Sequence, residues 1–412
     1  MNSSTRPASA PTLLASFSVF LFSALALVVP TGQSYGAALL LLPALAYLLV
    51  RPYPNLNSPD KYLVATLLAY FIVGASSNWF HHLSSSSYEK PARFLFAIPV
   101  LLFLLRFPVR PIYFWSGIAC GALGAGVLSA WNFWAQGAER AAGNTHPIQF
   151  GDIAILFSCL LLSAIPLARH CSRWILALFL VGIAGGVLAS LLSGARGGWL
   201  ALPAAAFLLY VAARNYSNAR RNGMLLAAFI LPVIAITQLP QDTFLQSRIN
   251  VVLVDIKRFH DDNDVSTSLG ARLHLWQRSV QMIALRPMSG WGTLERLGGY
   301  LDSRGTHDEV VAKYSHVHNE VLDSVLKRGI AGGLALLALY FIPAILFYRQ
   351  WCQALPSEKC LPLAGLTLVM CTMIFGLTQS FFSHTNGVMV YAFTVVILWA
   401  QTRNQSATTD PH

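Results

Sequence analysis

Charge is scarce in this chain. Only 11% of its 412 residues are Asp, Glu, Lys or Arg, while 55% are hydrophobic. Soluble domains carry about 25% charged residues, so this composition points away from an ordinary water-soluble fold and toward the membrane class. Lysine is scarcer than arginine, 6 against 22. There is no glycine-rich phosphate loop, no dinucleotide-binding glycine motif, no Cys-x-x-Cys and no His-Glu-x-x-His, so no nucleotide, redox or zinc-protease motif is present. No ionisable residue falls squarely inside an apolar run, whereas a proton-coupled carrier usually needs one. None of the six cysteines lies in the long polar segment 240–325, so no disulfide is expected there.

What the chain does have is a series of apolar runs. A transmembrane helix needs about 20 mostly apolar residues. Candidate spans are 12–30, 34–51, 61–79, 91–108, 111–134, 150–168, 173–192, 197–213, 222–239, 326–348, 360–380 and 385–401. The expected fold is all-α and polytopic. About twelve transmembrane helices form a single domain over 1–412, with one large helical loop, 240–325, between spans nine and ten.

Short loops rich in Lys and Arg stay in the cytoplasm. With both termini inside, inner loops and tails hold 13 basic residues: Arg6, Arg51, Lys61, Arg106, Arg110, Arg169, Arg173, Arg214, Arg220, Arg221, Arg349, Lys359 and Arg403. Short outer loops hold 4: Lys90, Arg93, Arg140 and Arg196. This bias places the long loop outside. Because the basic residues are divided between two sides of a membrane, a nucleic-acid partner is not expected. Of the 17 carboxylates only Asp60, Glu358 and Asp410 fall inside, so acid–base chemistry belongs to the outer face.

Several outer segments carry polar groups. The 135–150 loop holds Glu139, Arg140, Asn144, His146 and Gln149, followed by Asp152. It either edges a site or is an ordinary solvated loop. Arg196 sits in a tight junction, Gly194-Ala195-Arg196-Gly197-Gly198-Trp199, with no bulk around it; it contacts a ligand or snorkels to headgroups. Leu245 to Phe259 reads as a helix, and Ser268 to Leu285 as an amphipathic one bearing Arg272 and Arg278. Arg286-Pro287-Met288-Ser289-Gly290 ends it. His81 and His82 are adjacent, point apart on a helix and make a poor metal site.

The chain turns on Ser315-His316-Val317-His318-Asn319-Glu320, which enters the apolar stretch 330–347 without a break. The spacing predicts a helix capped by Ser315, with His318, Val321, Leu322 and Val325 on one face and Asn319, Asp323 and Lys327 on another. His316 is expected to face elsewhere, solvated. Asp323 and Lys327 form a plain ion pair or support the site.

His318-Asn319 followed by nine residues and then Gly329-Ile330-Ala331-Gly332-Gly333-Leu334 resembles the O-antigen ligase/polymerase family of bacterial envelope glycosyltransferases. Gly333 departs from the pattern, where a Leu is usual. Arg196-Gly197-Gly198-Trp199 and the stretch from Arg272 through Trp276 and Pro287 to Gly290 are similar to it as well. The resemblance implies a glycan donor on undecaprenyl diphosphate at the periplasmic face of the inner membrane. The acceptor would be a sugar hydroxyl of lipid A–core, the product lipopolysaccharide, and the outcome inversion at the anomeric carbon, with no metal or cofactor. His is the side chain that titrates nearest neutral pH, so His318 is the candidate base. Arg196 and Arg272, with Arg278 and Arg286, are candidates to hold the diphosphate, and Asn319 and Asp323 to support. O-antigen polymerase and protein O-oligosaccharyltransferase share this chemistry. A lipid or solute transporter is the alternative without covalent chemistry.

Overall fold

The computed structural model describes residues 9–50, 52–168, 172–214, 254–255, 257–262 and 264–409. Among them helices dominate and no strand occurs. In chain order these are α1 Ala10–Leu25, α2 Gly32–Tyr47, α3 Ser58–Phe80, α4 Glu89–Arg106, α5 Pro111–Ala130, α6 Pro147–Ala168, α7 Arg173–Ser193, a single turn α8 Arg196–Trp199 and α9 Ala201–Arg214. After the long polar segment come α10 Ser268–Leu285, α11 Leu294–Ser303, α12 Glu309–Lys313, α13 Glu320–Gln353, α14 Cys360–Thr378 and α15 Thr385–Thr409.

Among the described residues seven helices are long and apolar enough to cross a membrane: α3, α5 with its π-helical extension to Ala135, α6, α7, α13, α14 and α15. This is a membrane protein. The count is lower than the twelve runs for physical reasons. Helices α1 and α2 have 16 residues and α9 has 14, short of the length that spans a hydrocarbon core. Helix α4 begins with Glu89, Lys90 and Arg93. The run 222–239 and most of the expected helix Leu245–Phe259 lie outside the described residues.

Two helices form the middle of the body. In α6 the apolar window is 83% buried, and in α15 it is 94% buried, so neither keeps a solvent or lipid stripe. Helix α5 packs along α7 at close range. A Cβ on Gly126 would lie 2.6 Å from the Gly185 Cα, the small-residue contact that lets membrane helices approach. At one end of the bundle Asn57 caps α3 in a reciprocal box with Asp60. The buried Asp60 carboxylate then receives Trp399 Nε1–H at 2.8 Å and Arg403 Nε–H at 3.2 Å, fixing α15 to α3.

A second, smaller core lies between α9 and α13. Leu275, Met282, Trp291, Leu294, Leu297, Val311, Val317 and Leu326 pack together there. They make the described part of the long polar segment, with the head of α13, a helical lobe with its own interior. Helix α10 covers Ser268–Leu285 as the periodicity predicts, with Thr267 accepting the Gly270 N–H as its cap.

The lobe is joined to the bundle at a break in α13. Gly329 has φ +66° and ψ −168° inside that helix. The break frees backbone groups on both sides. The carbonyls of Leu326 and Lys327 accept the N–H groups of Trp291 and Gly292 at 2.8 and 2.9 Å, and the Ile330 N–H donates to the Pro287 carbonyl at 2.8 Å. A Cβ at Gly329 would fall 2.0 Å from the Met288 carbonyl oxygen. Only glycine fits both the backbone angle and the space.

Candidate active site

The head of α13 does not start where periodicity places it. Ser315 is not the cap. Asn319 is: its side chain accepts the Leu322 N–H at 3.0 Å, and Glu320 is the first helical residue. His318 therefore stands outside the helix, in the left-handed region at φ +56°, and shares no helix face with Val321, Leu322 or Val325. A non-glycine residue in that region is uncommon and is held there by its surroundings.

The holding is visible one residue earlier. The Val317 N–H donates to Asp323 Oδ1 at 3.1 Å, and its carbonyl accepts Trp276 Nε1–H at 2.9 Å. Asp323 Oδ2 takes Lys327 Nζ at 2.8 Å, and Lys327 also donates to the Ser315 carbonyl at 3.1 Å. The pair Asp323–Lys327 thus exists as the i, i+4 spacing predicts, and it clamps the segment 315–317.

The turn between α14 and α15 closes on this head. Glu320, only 3% exposed, accepts the Phe382 N–H at 2.8 Å, and Ser383 Oγ–H donates to Asp323 Oδ2 at 3.2 Å. The fully buried Gln379 lies between two imidazoles. Its Oε1 is 2.6 Å from His318 Nδ1, and its Nε2 is 3.0 Å from His384 Nε2.

His316 is not solvated as expected. Its ring centre is 4.4 Å from that of His318 and 5.2 Å from that of His384, and its Nε2 is buried. Residues two apart point away from each other on a helix, but this segment is not helical. His146, ahead of α6, brings a fourth ring 5.8 Å from His384. Burial, then the positive field of Arg272, pushes His318 down to about 4. Burial pushes His384 to about 4 and His316 to about 3, with neighbouring cationic and imidazole groups adding to it. Around neutral pH these rings are uncharged bases.

The four candidate arginines divide into two pairs. Arg272 and Trp276 are one turn apart on α10, so the helix that grips Val317 also brings Arg272 to His318. Arg272 is half-buried. Burial lowers its guanidinium pKa, Tyr314 and Asp152 raise it, and Arg140 and Arg196 lower it again. Three guanidinium groups, on α10, α8 and the 135–146 loop, therefore share one region. Arg196 opens α8, whose glycines sit tight on their neighbours: a Cβ at Gly197 would meet Thr378, and one at Gly198 would meet Asp152 Oδ1 at 2.6 Å. Arg140 donates to the Ser193 carbonyl at 2.8 Å.

Arg278 and Arg286 are engaged elsewhere in the lobe. Arg278 Nε–H donates to Asp308 Oδ2 at 3.0 Å, and His274 meets the same oxygen at 2.9 Å. Arg286 is exposed and lies over the Trp291 ring, 4.1 Å from its centre.

Residues 179–337 match the family model described as O-antigen ligase. This stretch is similar to the O-antigen ligase family. Within it fall Arg196, Arg272, Arg278, Arg286, His318, Asn319 and Asp323, so every site residue singled out in the sequence lies in the part that O-antigen ligases share. An uncharacterized protein of Haemophilus influenzae is also similar, 28% identical over 386 residues that cover 90% of this chain and 94% of the relative.

Sequence reasoning missed Gln379 and His384, gave Glu320 no role, and ranked Arg140 and His146 only as a possible edge. Gln379 and His384 lie beyond the O-antigen ligase stretch. Their only signal is compositional: polar side chains at the junction of two apolar runs.

Proposed function

We propose that this protein is an O-antigen ligase of the bacterial inner membrane, with both termini cytoplasmic and its site facing the periplasm. It transfers a glycan from undecaprenyl diphosphate to a sugar hydroxyl of lipid A–core. The observation that carries this reading is the placement of His318: a buried, neutral imidazole next to Arg272, with Arg196 and Arg140 in the same cationic region.

The acceptor oxygen attacks the anomeric carbon as the bond from that carbon to the diphosphate oxygen breaks. His318 takes the hydroxyl proton, and undecaprenyl diphosphate leaves with the electron pair. One displacement inverts the anomeric centre. Negative charge grows on the leaving group near lipid, where an unpaired charge is costly. Arg272 and Arg196 stabilise it there as preorganised donors. Asn319 and Asp323 keep His318 in place. Arg278 and Arg286 act through the lobe that carries Arg272, by way of Asp308 and Trp291. The diphosphate supplies the driving force, so neither a nucleotide sugar nor a metal is needed.

The test is transfer by purified protein, given lipid-linked glycan and lipid A–core, with products resolved on a gel. A ladder of glycosylated core is expected, undiminished by a chelator and absent with His318→Ala. Full activity of that variant at normal protein level overturns the role of His318. A deletion strain separates the related chemistries: unattached lipid-linked polymer is the ligase outcome. Core bearing one repeat would instead indicate a polymerase, and unmodified protein an oligosaccharyltransferase.

A further inference from the structure

Gln379 sits where it can decide which nitrogen of His318 carries the proton. A carboxamide oxygen has no hydrogen to give, so the 2.6 Å contact requires His318 Nδ1 to be the donor. The amide NH2 can only donate, so at 3.0 Å His384 Nε2 is its acceptor, and the proton of that ring sits on Nδ1. A neutral imidazole with Nδ1–H has its lone pair on Nε2.

We propose that Gln379 is a positioning residue for transfer: it locks His318 in the Nδ1–H form, leaves Nε2 free to accept the hydroxyl proton, and is itself oriented by His384. This rests on the reading of His318 as the base.

The anchoring is strong enough for the task. Gln379 is wholly buried at the end of α14. Its turn is tied to the head of α13 by the Glu320–Phe382 and Asp323–Ser383 contacts. Arg272 faces His318 from α10, His146 from ahead of α6, Tyr314 and His316 from its own segment, Asp323 from α13, and His384 across the amide. In that setting an uncharged amide orients the ring, and its hydrogen bond raises the imidazole pKa by less than burial and Arg272 lower it. A carboxylate at the same place would orient it equally and draw a proton onto it.

Transfer by the full-length protein, with lipid-diphosphate-linked glycan and lipid A–core, decides the matter when His318→Ala, Gln379→Ala and Gln379→Glu are compared across pH. Gln379→Ala is expected to lower kcat by about 10–100-fold at unchanged KM, a part of what a general base contributes. Gln379→Glu accepts the same Nδ1–H bond and should keep its turnover at high pH. Its acid limb should move upward by roughly 1–3 pH units, the effect of an opposite charge at contact. Ring 15N shifts of labelled histidine should report Nδ1–H at His318.

Wild-type kcat and pH profile in both Gln379 variants, alongside an inactive His318→Ala, would overturn the role of Gln379 alone. An Nε2–H signature at His318 would do the same. If His318→Ala is active, the reading of the base fails instead. Should Gln379→Ala unfold, the pH profile of Gln379→Glu still decides.

Discussion

The Asp323 carboxylate accepts the Val317 backbone N–H at 3.1 Å, one residue before His318. A side chain on a helix thereby governs a neighbouring segment that is not helical. Because Asp323 also meets Lys327, and both are largely buried (6% and 16% of their side chains exposed), the pair can be taken apart in an informative way. Removing one partner strands the other. Asp323→Ala should cost on the order of 3–5 kcal/mol and abolish transfer. The double change Asp323→Leu with Lys327→Met should recover much of the melting temperature without recovering activity, because Val317 still lacks its acceptor. Thermal unfolding in detergent together with the transfer assay checks both.

Glycine positions offer a second contrast. Gly329→Ala forces a side chain into a backbone at φ +66° and onto the Met288 carbonyl. It should destabilise by about 1–3 kcal/mol and detach the 287–292 segment, with activity falling in step. Gly299→Ala, on α11 with nothing within 4 Å, should be neutral or stabilising by up to about 1 kcal/mol. The melting curve of Gly329→Ala should fall, and that of Gly299→Ala should stay or rise.

The arginines should separate by readout. Arg272→Ala is expected to lower transfer by about 100-fold or more while the fold survives. Arg278→Ala leaves the buried Asp308 without its guanidinium, so it should lower the melting temperature first. Arg286→Ala should lose the contacts over the Trp291 and Tyr300 rings, about 0.5–1 kcal/mol for such an exposed pairing, and keep most of its turnover. Comparable kcat losses in all three would sink this division.

Acid should act on stability before it acts on the ionic chemistry. His316, His318 and His384 are held in the folded state at about 3, about 4 and about 4, below their ordinary 6.5. Between those values and 6.5 the unfolded chain binds more protons than the folded one. Stability is therefore full above about 6.5 and falls as pH drops toward 4. Melting temperature followed from pH 7.5 to 5 should decline, and a His316→Asn/His384→Asn double variant should decline less steeply. In the free wild-type enzyme kcat/KM should stay flat through neutral pH.

How much of this was legible in the sequence depends on distance along the chain. The all-α membrane class, the amphipathic helix Ser268–Leu285, the His318-Asn319 pair and the Asp323–Lys327 spacing are local patterns, and the structure places them together. The misreading of His318 as helical is also local: Asn319 and Ser315 both suit a helix start, and Asn319 takes the cap. The partners of His318 were not legible, because Gln379 lies 61 residues further on and no short-range pattern links them. The same holds for Arg278, whose carboxylate is 30 residues away. In both cases charge and position could be read, and the side chain opposite could not.

The turn from Gln379 to His384 has a bearing on biogenesis. A chain that has not yet reached residue 379 already contains Arg196, Arg272 and His318, yet lacks the Gln379 amide against His318 and the Phe382 and Ser383 contacts to the head of α13. Arrival of the final helical hairpin supplies these contacts, so they are the last part of the cluster to form as the chain is made.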